Sequence, residues 1–259
     1  MSVATEIQRI MQAKDDIKAS IENKGVTVPS STKIDGYPQI ISTIPTFDPY
    51  NGHDYVDLGL PSGTLWATMN IGANRVTDYG QWFQWGDTTG YLSGNVGTNG
   101  TTYKKPFNWA DYKFGNGKTS PTATGMTKYN GNDNKTTLDS YDDAARANWG
   151  GSWRMPTSED YAALGTATTS AWTTDYQGSG VVGLVLTDKT DSSKVLFFPA
   201  TGAISGGTVV EINQLGRYWL SSLDTSNKQN GHIIYATSIE HYEGSRNRFC
   251  GISVRAVIG

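Results

Sequence analysis

The residues most able to do chemistry cluster near the carboxyl end of the chain, between Asn227 and Cys250. Two of the three histidines, His232 and His241, lie there together with the only cysteine, Cys250. A thiol with a neighbouring imidazole can act as a nucleophile, but only in an electropositive pocket that lowers the thiol pKa. The surrounding Tyr, Phe, Arg, Asn and Ser residues match no catalytic spacing. They are typical of a contact surface, in which aromatic rings supply area and short polar groups supply adaptable hydrogen bonds.

Other residues that could take part in catalysis or metal binding can be explained without a catalytic or metal site. The run Asn130–Asn134 offers side-chain oxygens as a calcium loop does, but its twelfth position would be Tyr141, which has no carboxylate. Asp142 and Asp143 could ligate calcium, and capping of the helix that follows explains them equally well. The chain has no HExxH, nucleophile elbow or phosphate-binding loop. We therefore predict no cofactor, no metal ligand and no enzymatic activity.

The overall composition narrows the classes of partner. The chain has 259 residues, a formal net charge of −3 and only 17% charged residues, which argues against binding to nucleic acid. Its single cysteine excludes an intramolecular disulfide. No apolar stretch is long enough for a bilayer, so we expect no membrane insertion. Met1–Arg9 lacks a secretory signal, so we expect the chain to stay in the cytoplasm or to leave by a route that needs no signal, such as assembly into a virus particle. Thirty glycines and eight tryptophans indicate a loop-rich fold with buried aromatic rings.

Residues 1–46 are predicted to form a small helical module. A helix is predicted over residues 5–23, with a seam of four isoleucines and one lysine that recur at alternating steps of three and four: Ile7, Ile10, Lys14, Ile17 and Ile21. Two interpretations stay open: a coiled-coil seam, in which isoleucine at both core positions favours trimers or higher oligomers over dimers, or an amphipathic helix packed on its own domain. A second short helix is predicted over 39–44. Prolines make 45–52 a stiff linker, and we place the domain boundary between residues 46 and 47.

Residues 47–259 are predicted to form one α+β domain with short strands, few helices and long loops. Strands are predicted over 55–58, 64–69, 181–186, 195–199, 209–212, 218–222, 233–237 and 252–257. Short helices are predicted over 142–148 and 158–164. A capping box formed by Thr157 and Asp160 is expected to open the second of them. Residues 88–137 are rich in Gly, Thr, Asn and Ser, which predicts long surface loops.

Three stretches of this domain resemble a known family. They are Gly52–Ala67, with the string GHDYVDLGLPSGTLWA; Asp142–Thr157, with DDAARANWGGSWRMPT; and Tyr218–Arg255, which opens with YWL and closes with SVR. In this order they resemble the C-type-lectin-like domains of gut Bacteroidetes and their phages, which share the fold of formylglycine-generating enzyme. These domains include the variable proteins of diversity-generating retroelements. The resemblance covers residues 52–257 and implies a C-type-lectin-like fold; the oxidase chemistry known for that fold needs paired thiols, which one cysteine cannot supply.

The family's C-terminal segment keeps fixed frame positions while others vary. The frame positions here are Trp219, Ser221, Ser222, Leu223, Gly251, Ser253, Val254 and Arg255. The resemblance implies a ligand-binding surface, with Arg246 added as a charged neighbour, at Leu220, Gln229, His232, Ile233, Tyr235, Thr237, Glu240, Tyr242, Ser245, Phe249, Cys250 and Ile252. The aromatic members are expected to face water together and to supply the anchoring area: His232, Tyr235, Tyr242 and Phe249. Trp149, Trp153 and Trp219 are predicted to lie in the core, with a sugar-stacking platform as the alternative.

The stretch Ala13–Pro38 resembles short modules that begin phage tail-fibre and tail-tip proteins. Together the resemblances imply a receptor-binding protein of a virion. It would join a phage tail through its first module, form a homo-oligomer, and contact a protein or glycan on the host cell. One alternative is a bacterial surface or structural protein of the same fold without diversification. The other is a degenerate enzyme that uses Cys250 with His232 or His241 as base.

Overall fold

The computed structural model describes residues 3–22, 27–41, 50–92 and 105–259. The chain divides into two units, Met1–Asp48 and Pro49–Gly259. The predicted domain boundary lies outside the described residues, as do most of the predicted linker, the end of the predicted second helix and part of the 88–137 loops. Within the described residues, no helix combines the length and the apolar content needed to cross a lipid bilayer.

Among the described residues of the first unit there are two α-helices, α1 (Val3–Glu22) and α2 (Tyr37–Ile41). Ile21, in the last turn of α1, packs with Val28 and Tyr37 in a small buried cluster. The other isoleucines of the predicted seam stay about half exposed: Ile7, Ile10 and Ile17. Most of the seam is therefore not buried, and the coiled-coil interpretation stays a prediction.

The second unit is organised around four sheets. Its strands are, in chain order, β1 (Tyr55–Val56), β2 (Leu65–Asn70), β3 (Gln81–Phe83), β4 (Tyr91–Leu92), β5 (Thr168–Thr173), β6 (Gly183–Asp188), β7 (Val195–Pro199), β8 (Ala203–Ser205), β9 (Thr208–Val210), β10 (Gly216–Leu223), β11 (Asn230–Ala236), β12 (His241–Asn247), β13 (Ile252–Ser253) and β14 (Arg255–Ile258). The largest sheet has the order β12–β11–β10–β13–β3–β4. All its pairs are antiparallel except β10 with β13. The smaller sheets are β1–β2–β14, β5–β6–β7 and β8–β9.

Two short helices of this unit are α3 (Ala144–Trp149) and α4 (Ser158–Ala167). The carboxylate of Asp143 caps α3, because it accepts hydrogen bonds from the N–H groups of Ala145 and Arg146 at 2.8 and 3.0 Å. The predicted capping box of Thr157 and Asp160 is present at the start of α4. Few helices among several small sheets confirm the α+β class.

Two large apolar clusters lie on opposite sides of the six-stranded sheet. Alternate residues of β10 and β11 belong to different clusters, as the pleat of a strand requires. Trp219 and Ile233 belong to the first cluster, whereas Tyr218 and Ile234 belong to the second. The second cluster also contains Tyr161 of α4. One side of the sheet therefore packs toward α4, and the other packs toward the cluster around Trp219.

The strand set differs from the prediction mainly at sheet edges. The predicted hairpin of β6 and β7 is confirmed by their pairing. The strands that sequence reasoning missed are β3, β4, β5, β8 and β12. The last of these matters most, because it lies within the predicted site and forms one edge of the largest sheet. Its sequence, HYEGSRN, has no apolar alternation and so lacks the period-two signal of a half-buried strand.

Candidate functional site

Strand β10 is the base of the predicted site, and all of its residues are buried. The indole N–H of Trp219 donates to the carbonyl oxygen of Phe83 at 2.7 Å, and that of Trp85 donates to the carbonyl of Leu220 at 2.8 Å. These bonds tie β10 to the segment that begins with β3. The tryptophans predicted to lie in the core are all buried: Trp149, Trp153 and Trp219.

Two buried arginines, Arg248 and Arg255, connect distant segments of the chain around β10 by hydrogen bonds. Arg255 donates to the carbonyl oxygens of Ala67 at 3.0 Å and Phe197 at 2.8 Å, and to Asn70 Oδ1 at 2.9 Å. Arg248 donates to the hydroxyl of Tyr112 and to the carbonyl oxygens of Lys128, Tyr129 and Lys228. Burial lowers the pKa of Arg255 to about 10, which still leaves it charged at neutral pH. We call the frame positions named above, together with the rest of β10 and β14 and with Arg248, the frame.

The hairpin of β11 and β12 lies beyond β10, at the edge of the sheet. The two strands pair in continuous register along all seven residues of each. Thr237 fixes the turn: its hydroxyl accepts from the N–H groups of Ile239 at 3.2 Å and Glu240 at 3.0 Å, and donates to the Glu240 carbonyl at 2.8 Å. Ile239 at the tip is 91% exposed. An apolar side chain is thus presented to solvent by an ordered turn.

Paired residues of antiparallel strands point to the same side, so the hairpin has two distinct faces. The histidine face carries His232, His241, Glu243 and Ser245. It turns toward α4: the Ser158 hydroxyl donates to Glu243 Oε1 at 2.7 Å, and Tyr161 Oη lies 2.8 Å from His241 Nδ1. His232 Nδ1 lies 2.5 Å from Glu243 Oε1, close enough for an ion pair but without hydrogen-bond geometry. Burial lowers the pKa of His241, which keeps its imidazole neutral at pH 7.

The opposite side, the tyrosine face, carries Tyr235, Tyr242, Gly244 and Arg246. The two tyrosine rings stack with their centres 5.1 Å apart and their planes at 19°. Gly244 permits this arrangement, because a Cβ there would come within 2.7 Å of the Tyr235 ring. The guanidinium of Arg217 lies 5.4 Å from the centre of the Tyr235 ring and forms an ion pair with Glu211. The tyrosine face therefore has a preorganised aromatic pair bordered by charge.

The structure divides the predicted contact residues by burial. Those with buried side chains are Leu220, Ile233, Cys250 and Ile252. They fill the clusters on either side of the sheet and cannot reach a ligand at the surface, so we remove them from the site. Those with exposed side chains are Glu240 and Tyr242. Those partly exposed are Gln229, His232, Tyr235, Thr237, Ser245, Arg246 and Phe249.

The predicted aromatic anchors do not face water together, which corrects that expectation. His232 and Tyr235 are three positions apart on β11, so the period of two puts them on opposite faces. Phe249 follows the end of β12 and packs edge-on against Trp109, with ring centres 5.0 Å apart. Only Tyr235 and Tyr242 form an anchor pair on one surface.

The arrangement around Cys250 gives no support to a thiol nucleophile. Cys250 belongs to the cluster on the tyrosine-face side of the sheet, whereas His232 and His241 lie on the histidine face. Burial raises the pKa of the Cys250 thiol, which keeps it protonated at neutral pH. A nucleophilic cysteine needs the opposite shift and an adjacent base.

The carboxylates considered as calcium ligands are engaged by protein donors. Asp133 accepts from the main-chain N–H of Tyr129 at 2.6 Å, within the turn formed by 130–134. Asp142 accepts from Lys113 Nζ at 2.7 Å and from the Tyr129 hydroxyl at 2.8 Å. Throughout the described part of the chain, no group of three or more His, Cys, Asp or Glu side chains is arranged to hold a metal ion.

Sequence reasoning missed several residues that shape the two faces: Ser158, Glu211, Arg217, Ile239 and Glu243. Glu243 and Ile239 lie within the predicted segment, and recognition of β12 would have placed them. Arg217 and Glu211 come from β10 and from the turn that precedes it. No spacing in the sequence signals that these two side chains meet across that turn.

No family model, curated protein or solved structure matches this chain. The site is therefore defined by the geometry of the chain itself. The C-type-lectin-like resemblance continues to rest on the motifs in Gly52–Ala67, Asp142–Thr157 and Tyr218–Arg255.

Proposed function

We propose that this protein is a non-catalytic receptor-binding protein that contacts its ligand with the tyrosine face and the tip of the β11–β12 hairpin. The supporting observation is the change of burial across neighbouring strands. Every residue of β10 is buried, whereas none of the residues of β12 is. Substitutions in a core cost stability, while substitutions at an accessible edge change it little. A surface of this kind can change its contacts while the frame keeps the fold.

The chemistry of the tyrosine face suits recognition. Tyrosine and arginine are enriched among residues that dominate binding energy. Tyr242 is 43% exposed, and stacking on Tyr235 fixes both rings before any ligand arrives, which lowers the entropic cost of binding. Arg246 is partly exposed, although its Nε is buried and has no hydrogen-bond partner among the described residues. The exposed part of its guanidinium can serve a carboxylate of a protein or a hydroxyl of a glycan on the host cell.

Burial of the motif residues supports a C-type-lectin-like fold for Pro49–Gly259. Each frame position implied by the resemblance is buried: Trp219, Ser221, Ser222, Leu223, Gly251, Ser253, Val254 and Arg255. Buried positions are the ones at which most substitutions cost stability, so they would stay fixed while a retroelement varies the rest. Four of the positions implied to vary, Leu220, Ile233, Cys250 and Ile252, are buried as well, so only the accessible ones fit this division.

Helix α1 is proposed to attach this binding unit to a phage tail as a homo-oligomer, with three copies joined through residues 5–23. The half-exposed Ile7, Ile10 and Ile17 lie along one seam and would be covered by neighbouring helices. Several copies in one virion would add avidity to a weak single contact.

A bacterial surface or structural protein of the same fold, without diversification, is the second candidate, since a buried frame serves it equally. The gene neighbourhood separates the two. A reverse transcriptase gene with an adenine-rich near-copy of the 3′ end supports the variable protein. Their absence supports the second candidate.

Binding to whole cells tests the proposed face. Fluorescently labelled protein would be titrated onto cells of gut Bacteroidetes strains, and a strain that binds would be tested with the Tyr235→Ala/Tyr242→Ala variant. Loss of anchor rings should weaken binding at least about tenfold, since hot-spot truncations cost about 2 kcal/mol or more. Tyr141→Ala removes another exposed tyrosine, outside the hairpin, and should bind normally. Undiminished binding by the folded double variant would reject the tyrosine face as the contact surface.

A further inference from the structure

The free edge of the largest sheet is long and regular. β12 is the terminal strand, and it pairs with β11 along all seven of its residues without a register shift. Natural proteins usually protect such edges with a proline, a lysine, a bulge or a very short strand. The β12 sequence, HYEGSRN, contains neither proline nor lysine. No described strand pairs with the outer side of β12, so this edge can pair with another strand.

The hydrogen bonds at the two ends of the hairpin identify the outward-facing main-chain groups of β12. Thr237 N–H donates to the carbonyl of Glu240 at 2.9 Å, and Arg248 N–H donates to that of Gln229 at 2.9 Å. Hydrogen-bonded pairs alternate with non-hydrogen-bonded pairs along an antiparallel ladder. The even-numbered residues of β12 consequently bond to β11. The odd-numbered residues direct their N–H and C=O groups away from the sheet: His241, Glu243, Ser245 and Asn247.

These outward groups are largely unused. Among the described residues, the main-chain groups of His241, Glu243 and Ser245 make no hydrogen bond, and the Asn247 carbonyl accepts only from the Cys250 N–H at 2.9 Å. Water can satisfy them in a single chain. A second antiparallel strand would give each of these outward N–H and C=O groups a hydrogen-bond partner, at every second residue of β12.

We propose that two copies of this chain pair antiparallel through β12, edge to edge, around a two-fold axis at Gly244. The outward main-chain groups belong to odd-numbered residues, so odd-numbered residues of one copy must pair with odd-numbered residues of the other. The centre of such a pairing falls on a residue, so the two-fold axis passes between two copies of the same residue. A centre at Gly244 pairs all seven residues of each strand, whereas any other centre shortens the overlap. Glu243 then pairs with Ser245 of the second copy, and His241 pairs with its Asn247, through about eight main-chain hydrogen bonds in total.

Side-chain chemistry favours this register. Tyr242 lies opposite Arg246 of the second copy; Tyr242 is exposed and Arg246 is partly exposed, so the guanidinium can rest on the ring. A centre at Glu243 would oppose two carboxylates, and a centre at Arg246 would oppose two guanidinium groups; like charges directly opposite are unfavourable. Gly244 lies at the axis in a non-hydrogen-bonded pair, where strands approach most closely, at about 4.5 Å between Cα atoms. The absence of a side chain there suits the contact.

The pairing would join the six-stranded sheets of the two copies into one continuous sheet. The tyrosine faces of the two copies would then lie side by side. The pairing uses main-chain edges, so the side chains of both faces still project from the joined sheet. Arg246 of each copy would then border the tyrosine pair of the other. The inference does not depend on the proposed receptor-binding function, because association of the chain with itself and binding to cells are measured separately.

A proline at an outward position tests the edge without touching the β11 ladder. Ser245→Pro removes one outward N–H, which an edge strand tolerates. We expect its molar mass in solution, measured by light scattering, to be half that of the wild-type protein. Ser245→Ala, which keeps the N–H, should retain the wild-type mass. Near-ultraviolet circular dichroism checks that the proline variant is folded. A wild-type protein and a folded Ser245→Pro variant of equal mass would overturn the proposal.

Disulfide cross-linking tests the register independently of the proline variant. In the proposed pairing Tyr242 and Arg246 of different copies form a non-hydrogen-bonded pair, and about 4.5 Å between Cα atoms suits a disulfide. The Tyr242→Cys/Arg246→Cys variant should form covalent dimers under mild oxidation, seen on a non-reducing denaturing gel. Each single variant should stay a single chain, as should the wild type with its buried Cys250. A double variant that stays a single chain would refute the Gly244-centred register.

Discussion

Arg255 and Arg246 lie nine residues apart in the chain and have opposite environments. Arg255 is fully buried, and its guanidinium donates three hydrogen bonds of 2.8 to 3.0 Å to groups on β2 and β7. Arg246 is partly exposed on the tyrosine face; its Nε is buried and has no hydrogen-bond partner among the described residues. The same side chain therefore holds the fold together at one position and is available to an outside partner at the other. Burial, more than residue type, divides this segment into frame and contact surface.

The position of each strand in the sheet explains the difference. β10 has a neighbouring strand on both sides and an apolar cluster on each face. A substitution of any of its side chains therefore disturbs the packing of neighbouring residues. β12 has a neighbour on one side only, and its side chains are accessible on both faces. Packed interiors resist changes of volume or polarity, whereas accessible edges relax.

The largest effect that would test this comparison is expected from Arg255→Met. Methionine fills most of the volume but leaves three buried acceptors without a donor: the carbonyl oxygens of Ala67 and Phe197 and Asn70 Oδ1. Each unsatisfied group costs about 1–3 kcal/mol, so we expect the free energy of unfolding to fall by about 3 kcal/mol or more. Urea denaturation measures it.

Arg246→Met is the matched control for that experiment. It removes the same charge from an accessible position and should change the free energy of unfolding by no more than about 0.5 kcal/mol. If the two methionine variants are equally stable, the distinction between frame and contact surface has no energetic basis.

The sequence predicts those features that depend only on residues close together in the chain or on the character of a single residue. Thr157 and Asp160 predict a capping box because the pairing involves only the first turn of one helix. The β6–β7 hairpin follows from two apolar runs around a polar turn. Burial of Trp219 follows from its size and apolar character.

The sequence could not supply facts that depend on where a strand lies in a sheet. β12 has no apolar alternation, because neither of its faces is fully buried, and so it was missed. Unless β12 is recognised as a strand, its pairing with β11 cannot be predicted, and side chains cannot be assigned to the histidine and tyrosine faces. The three-residue step from His232 to Tyr235 would have separated them once β11 was treated as a strand. Burial of Arg255 depends on acceptors from distant strands, which no local pattern reveals.

A smaller effect, with a defined pH dependence, is expected from Asp160→Asn. Burial alone would raise the pKa of Asp160, but hydrogen bonds from Arg154 and Thr157 outweigh burial and lower it. Because the pKa is lower in the folded than in the unfolded state, Asp160 stabilises the protein above about pH 4. That stability is lost as pH falls through the folded-state pKa.

The expected loss for Asp160→Asn at pH 7 is about 1–2 kcal/mol in the free energy of unfolding, and the difference from wild type should narrow below about pH 4. Urea denaturation at pH 7 and at pH 3 gives both values. Glu240→Gln removes an exposed carboxylate from the hairpin turn and should change stability little at either pH. A gap between wild type and Asp160→Asn that is independent of pH would assign the effect to shape instead of charge.

The smallest effect is expected from Thr237→Ala, which removes the hydroxyl that closes the hairpin turn. Water can replace these exposed bonds, so the global free energy of unfolding should fall by less than about 1 kcal/mol. Local opening is more sensitive: amide hydrogen exchange at Ile239 and Glu240 should become faster, while exchange in β10 should not change. Thr237→Ser keeps the hydroxyl and should restore slow exchange. If the amides of β10 also exchange faster in Thr237→Ala, the hairpin and the frame open together. The hairpin could then not be altered without disturbing the fold beneath it.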